Sequence, residues 1–384
     1  MNASALSKLN APRIIRVFLC GDVMTGRGVD QILPQPCDPH LHENYVRSAK
    51  GYVRLAEQAN GPIPAPAPPA YIWGAALDEL NRTPSDARIV NLETSITRSD
   101  DYIPKGINYR MSPENAACLT AAAIDCCVLG NNHVLDWGRA GLLDTLATLE
   151  RLGIETAGAG RDQTQAERPA ALEIEGKGRV IVFSFASPTS GVPPNWAATP
   201  TAAGVNLLRD FTDESIARIA DQAARVRQPG DVIIASIHWG PNWGYEIPEE
   251  QRSFAHGLVD QAKVSIVHGH SSHHAKAIEI YKNRLILYGC GDFLNDYEGI
   301  SGYEDFRGDL ALMYFAGFDS LSGDLADLEL APLQIRRFQL VRASSADIGW
   351  MGRMLDRESR RFNVRVALKP DGRLSLSWPD AANF

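Results

Sequence analysis

Ile14-Ile15-Arg16-Val17-Phe18-Leu19-Cys20, followed at once by Gly21-Asp22, is the stretch on which the fold reading turns. A run of β-branched and apolar residues stopped by a glycine and an acid predicts a buried strand that delivers an aspartate into a tight turn. The same grammar recurs downstream. Ala87–Leu92 runs into Glu93, Asp125–Leu129 into Gly130-Asn131-Asn132-His133, and Asp231–Ile237 into His238. Val264–Val267 runs into His268-Gly269-His270, and Arg284–Tyr288 into Gly289-Cys290-Gly291-Asp292. Val180–Phe185 reads as a further strand. Helical patterns fall between them at Ala75–Asn81, Pro113–Ala123, Gly141–Leu152, Thr212–Arg227 and Gln251–Gln261. Strands alternating with helices predict a layered α/β architecture. Beyond about Asp309 the pattern becomes strand-like (Leu310–Phe315, Leu328–Leu340, Val364–Leu368), with one helix near Trp350–Phe362. Residues 34–61 read as polar and irregular, and the proline-rich run 61–70 as an extended surface insertion. The expected organisation is a single domain over 1–384, with its core at about 14–335 and 336–384 packed on it.

Composition narrows the function. The 384 residues carry 38 Lys+Arg against 46 Asp+Glu, a net charge of −8. An acidic balance disfavours nucleic acid as the main partner, since neutralising phosphates needs a basic face. No run approaches the ~18 consecutive apolar residues of a membrane span, and the N-terminus has no signal-peptide pattern. Six cysteines without a CxxC spacing predict free thiols in a reducing, cytoplasmic setting.

The polar residues at the strand ends carry the chemistry. Open α/β sheets place their sites at the carboxyl edge, so Asp22, Glu93, Asn132, His133, His238, His270 and His273 should converge there. Oxygen and imidazole donors without a thiolate suit Mn, Zn, Fe or Mg. Two acids, an amide and three or more imidazoles exceed the needs of one tetrahedral ion, so a pair of divalent metals bridged by a carboxylate is expected. Taken singly, each has a plain structural reading. Asp22 fits a helix cap, Glu93 a solvated loop acid, and His133 a core histidine bonded to Asp136. The block His268–His274, with four imidazoles in seven residues, resists such a reading. Arg27, Lys105 and Arg110 could hold an anionic substrate group or be ordinary surface cations. Trp243 and Tyr245, in the loop after His238, could wall a pocket or pack in the core.

These blocks resemble a family. GDVMTGR at 21–27, NLET at 91–94, KGINYRMSP at 105–113, NNHVLDWG at 131–138, HWG at 238–240, GHSSHHAKAIEIY at 269–281 and YGCGDFLND at 288–296 follow the block order of the CapA proteins of poly-γ-glutamate capsule synthesis. The resemblance covers roughly residues 14–335. It implies a four-layer αββα sandwich of the metallo-dependent phosphatase type. It further implies two divalent ions held by Asp22, Glu93, Asn132, His238, His270 and His273, with Glu93 as the bridge. His133 then matches an acid/base position oriented by Asp136. The chain departs from the pattern at Ser272, where the family has proline, and at Asp292, where it has asparagine. Val23-Met24 stands where metallophosphatases have a histidine two residues after the aspartate.

The function implied is a CapA-like metal-dependent enzyme acting on a peptide or poly-γ-glutamate-type carboxylate. Hydrolysis and proton transfer both fit, the latter as in the peptide Cα epimerases of lasso-peptide pathways that the resemblance also reaches. A capsule-assembly scaffold with a structural metal site is the non-enzymatic alternative.

Overall fold

A computed structural model describes residues 14–379. The first strand, Ile14–Val23, lies inside a ten-stranded sheet. It pairs in parallel with Ala87–Leu92 and antiparallel with Leu310–Asp319. Cys126–Val128 and Glu155–Ala157 extend the parallel half, while Leu325–Arg336 and the C-terminal hairpin extend the antiparallel half. A second sheet of six strands orders Ile278–Tyr281, Arg284–Leu287, Ile266–His270, Val232–His238, Gly178–Ala186 and Ala170–Ile174. Its four middle strands are parallel.

Side-chain alternation turns these sheets into four layers. Ile15, Val17 and Leu19 of the first sheet face Val180, Val182, Val232 and Ile234 of the second, forming a dry middle core. Phe18, Val90 and Cys127 point the other way, against Tyr52, Leu80 and Leu142 of the helices Lys50–Asn60, Ala75–Arg82 and Gly138–Arg151. On the far side Ile181, Phe183 and Ile233 meet Ile216, Ile219, Phe254 and Leu258 of Asp213–Val226 and Glu249–Asp260. Helices, sheet, sheet, helices is the αββα order expected.

Three readings need correction. Residues 34–61 are not wholly irregular, since Lys50–Asn60 is a helix burying Tyr52 and Ala56. The segment 61–70 is anchored as well as extended. Ile63 and Ala67 are buried in the outer core, and the Ala67 N–H donates to the Ile32 carbonyl at 2.7 Å. Leu328–Leu340 is two strands, Leu325–Arg336 and Gln339–Arg342, turned at Arg337-Phe338. Both turn residues have positive φ (57° and 53°), a conformation normally left to glycine or asparagine. The Glu298 carboxylate accepts both of their backbone N–H groups, at 2.6 and 2.7 Å, and holds the turn in place.

Candidate metal centre

The carboxyl edges of both sheets meet at one place. On the first strand the register shifts between Leu19 and Asp22, and this irregularity hands the strand end to a new parallel partner, Asp292–Leu294. Asp22 and Asp292 are thereby placed side by side. Asn91 donates to Asp22 Oδ1 at 2.7 Å. Asn131 donates to Asn91 and to the Leu92 carbonyl, and its own Oδ1 accepts the N–H groups of His133 and Val134. That bonding shapes the loop presenting Asn132 and His133. The second sheet contributes His238 and His270 from the ends of neighbouring parallel strands.

Two groups of donors result, and they share one carboxylate. Asp22, His238 and His270 offer atoms all within 4.8 Å of one another, and so do Asp22, His273 and Asp292. His238 Nε2 lies 3.2 Å from Asn132 Oδ1 and 3.7 Å from Glu93 Oε1, which places both beside the first group. The residue common to the two groups is Asp22, whereas the resemblance implied Glu93 as the bridge. Asp292 stands in the second group beside the expected His273, and the Gly-Asp-Phe departure at 291–293 was its signal in the sequence.

The chemistry of this set fits divalent cations. Burial, with Asp292 alongside, pushes the Asp22 carboxyl up to about 7. Burial and Asp22 push Glu93 upward as well, and Glu93 Oε2 is buried without a hydrogen-bond partner among the described residues. Burial holds the imidazoles of His238 and His270 well below their usual range, so both rings are neutral with lone pairs to give. Three carboxyls stacked in a dry pocket repel one another unless protons or cations intervene, and two divalent ions would satisfy them together with the orphaned oxygen.

Hydrogen bonding also assigns the tautomer of His270. A backbone carbonyl only accepts, so His268 Nε2, 2.8 Å from the Cys20 oxygen, carries its proton. His268 Nδ1 then accepts from Ser236 Oγ at 3.0 Å, and Oγ accepts from His270 Nε2 at 2.9 Å. His270 Nδ1 is left bare, aimed at His238 Nδ1 (2.8 Å) and Asp22 Oδ1 (3.9 Å). Ser236 was not singled out in the sequence, and His268 stood out only as part of the imidazole block, because nothing in the sequence links either to His270 Nε2. Ser236→Ala should weaken divalent-metal affinity by roughly 10–100-fold with little change in folding, read by titration calorimetry. An unchanged affinity would show that the relay does not orient the ligand.

A cavity of about 70 Å³ opens beside the donors, lined by Glu93, Asn132, His133, His238, His273 and Tyr297 among others. His133 Nδ1 sits 2.6 Å from Asp136 Oδ2, and Nε2 lies 3.7 Å from Glu93 Oε1. Burial lowers the His133 ring to about 4 against the pull of Asp136, with Lys105 adding to the lowering. Lys105 pairs with Asp136 Oδ1 at 2.8 Å and donates to the Asn132 carbonyl, so it braces this pair. Trp243 stands 5.4 Å from His273 and stacks on Tyr303 at 4.1 Å.

Three of the expected substrate contacts, Tyr245, Arg27 and Arg110, are placed elsewhere. Tyr245 is in a second row, edge-on to His274 at 4.7 Å. Arg27 is buried, with its guanidinium sandwiched between Tyr52 and Tyr109 (4.0 and 4.4 Å) and spent on Glu43, Asp296 and the Tyr52 hydroxyl. Its charge type suggested an anionic substrate, but two internal acids consume it. Arg110 likewise stacks on Trp137 at 3.8 Å and bonds Asp100. Arg27→Met should cost about 3–5 kcal/mol in urea unfolding, because Glu43 and Asp296 would stay buried without their cation. A loss below about 1 kcal/mol would mean the acids find other partners.

Fold and donor set together define an α/β sandwich with a buried, two-group candidate metal centre at the meeting edge of its sheets. The chain belongs to the bacterial capsule synthesis protein family PGA_cap, whose pattern matches residues 16–297. It is 47% identical over 367 residues, 95% of this chain and 96% of the relative, to a probable polyglutamine synthesis accessory protein of Mycobacterium tuberculosis. It is 25% identical over 214 residues, about 55% of this chain and 54% of the relative, to the PGA biosynthesis protein CapA of Bacillus subtilis. Among solved structures, a novel phosphatase from Mycoplasma pneumoniae aligns with 84% of this chain and 95% of its own, at 12% identity and a TM-score of 0.46. Among the described residues no helix is long and apolar enough to cross a membrane.

Proposed function

We propose that the protein is a dinuclear-metal enzyme acting on a peptide or poly-γ-glutamate-type carboxylate substrate, by hydrolytic or proton-transfer chemistry. The observation that carries this reading is the His133–Asp136 pair, which faces the same cavity as the donor groups sharing Asp22. Bound divalent ions (Mn, Zn, Fe or Mg) would supply Lewis acidity and neutralise charge developing on a substrate oxygen. The chain's own residues supply the rest. Asp136 holds the His133 Nδ1–H, leaving Nε2 neutral and open to take a proton from, or return one to, a group in the cavity. Lys105 fixes the Asp136 carboxylate.

A second reading, Cα epimerisation, has an observation of its own. His273 pairs with Asp292 at 2.8 Å, and the cavity is lined by two aspartate-paired histidines, His133 and His273. The Tyr109 and Tyr297 hydroxyls, 2.8 Å apart, connect their surroundings. In this reading His133 would exchange the Cα proton on one face, and a group outside the two donor sets would have to serve the other. We further read the chain as a single domain in the cytoplasm, in line with six buried free cysteines.

The test is metal-loaded protein incubated with γ-glutamyl oligomers and linear peptides, in heavy-oxygen water and in deuterium oxide. Heavy oxygen in a new carboxylate marks hydrolysis, and deuterium at Cα marks epimerisation. Neither label in any substrate, from protein with its metals in place, would leave the scaffold role instead.

A further inference from the structure

A groove of about 580 Å³ lies on the surface beside the C-terminal helix Ser345–Ser359 and the strand Arg365–Leu368. Gly349 and Gly352 line it without side chains, Arg353, Arg357 and Arg360 rim it, and Val366 and Leu368 give it an apolar edge. Glycine weakens a helix interior, and neither glycine has the positive φ that would require one. An added methyl would come 3.2 Å from Arg353 Nη1 at Gly349 and 3.2 Å from Leu374 at Gly352. Both contacts are tight, so each glycine lets a neighbouring side chain lie close against the helix backbone.

Charge marks the same place. The whole chain is net −8, yet residues 345–369 contain six cations against three acids. Arg357 pairs with Glu358, while Arg360 and Arg365 share Asp356. The exposed Arg353 guanidinium has no hydrogen-bond or ion-pair partner among the described residues. A polyanion is repelled by an acidic protein except at a local basic strip of this kind.

A ladder of ring contacts joins the rim of the groove to His273. The Arg357 guanidinium lies 5.3 Å over the Tyr245 ring. Tyr245 packs on Phe306 at 5.4 Å, Phe306 on Trp243 at 5.5 Å, and Trp243 on His273 at 5.4 Å.

We propose that this arginine groove binds the distal segment of a polycarboxylate chain whose reacting portion lies at the cavity. The proposal rests on the function proposed above and extends its site. Guanidinium forks match carboxylates spaced along a chain, and the Val366–Leu368 edge suits the methylene stretches between them. The lining holds no aromatic platform of the kind that single-stranded nucleic acids stack on.

The experiment is fluorescence anisotropy of labelled poly-γ-glutamate with the metal-loaded full-length protein, at low salt and with added NaCl. Wild type should bind, and salt should weaken the binding. Arg353→Glu, which breaks no internal ion pair, should weaken it roughly tenfold or more while melting temperature and metal content stay at wild-type values. Gly349→Glu should do the same by placing a carboxylate beside the Arg353 guanidinium. His133→Ala should leave chain binding unchanged. No binding by wild type, equal binding by Arg353→Glu, or displacement by single-stranded RNA at lower charge equivalents would each overturn the groove. Arginine-dependent chain binding by protein without turnover on any substrate would instead keep the groove and remove the catalytic reading.

Discussion

Metal content should fall close to zero in His270→Ala and stay near wild type in His133→Ala, although both variants lose activity. His270 Nδ1 faces Asp22 and His238 in the first donor group, and its other nitrogen is already committed to Ser236. Removing that ring takes a ligand from the centre and leaves the neighbouring acids with less to hold a cation. His133 stands one step back. Its Nδ1 is engaged by Asp136, and its Nε2 lies 3.7 Å from Glu93 without belonging to either compact group. Its loss should cost roughly 10²–10⁴ in turnover, the usual range for a missing general acid or base. Plasma emission spectrometry of both variants, purified without chelator, checks the expectation. If His133→Ala emerges as metal-poor as His270→Ala, His133 is a ligand and the proton must move through another group.

Gly21→Ala should be the most damaging small substitution in the chain. A Cβ at this position would lie 1.7 Å from the Gly291 carbonyl oxygen and 2.8 Å from its carbon, both immovable backbone atoms. The strand carrying Asp22 and the segment leading into Asp292 pass in contact here, joined by the Asp22 N–H donating to the Gly291 oxygen at 2.9 Å. One methyl must push them apart, breaking that bond and separating two donors of the second group. The expected loss exceeds about 4–5 kcal/mol in urea unfolding, a range reserved for a few mechanisms of which backbone overlap is one. Any folded remainder should bind metal poorly. A variant with wild-type stability and metal content would mean the two segments can separate at no cost.

The layered fold and most of the donor set were readable because parallel strands buried on both faces write themselves as apolar runs ended by a polar residue. Val232–His238 and Ile266–His270 show this plainly, since every residue in both is buried and each ends on an imidazole. What stayed hidden depends on partners far along the chain. Asn91, Asn131, Ser236 and His268 act only through neighbours that folding brings to them. Arg27 looked like an anion binder because a charge does not announce whether internal acids and tyrosine rings already enclose it. The hairpin at Arg337-Phe338 was missed because its positive φ angles are secured by Glu298 and not by a turn residue.

The donors divide by origin. Asp22, Glu93, Asn132 and Asp292 belong to strands of the ten-stranded sheet or follow them directly, whereas His238, His270 and His273 come from the six-stranded sheet. All the oxygens stand on one slab and all the imidazoles on the other. A cation seated between them would act as a rivet through two plates, gripping each by a different kind of ligand. Sliding one plate against the other by even an ångström would loosen every imidazole while leaving every oxygen in place. With metal bound as proposed, its affinity would double as a gauge of sheet alignment. A substitution deep in the middle core, remote from any ligand, would register as a change in which metals the protein retains, with oxygen-preferring ions surviving the slip better than those that depend on nitrogen.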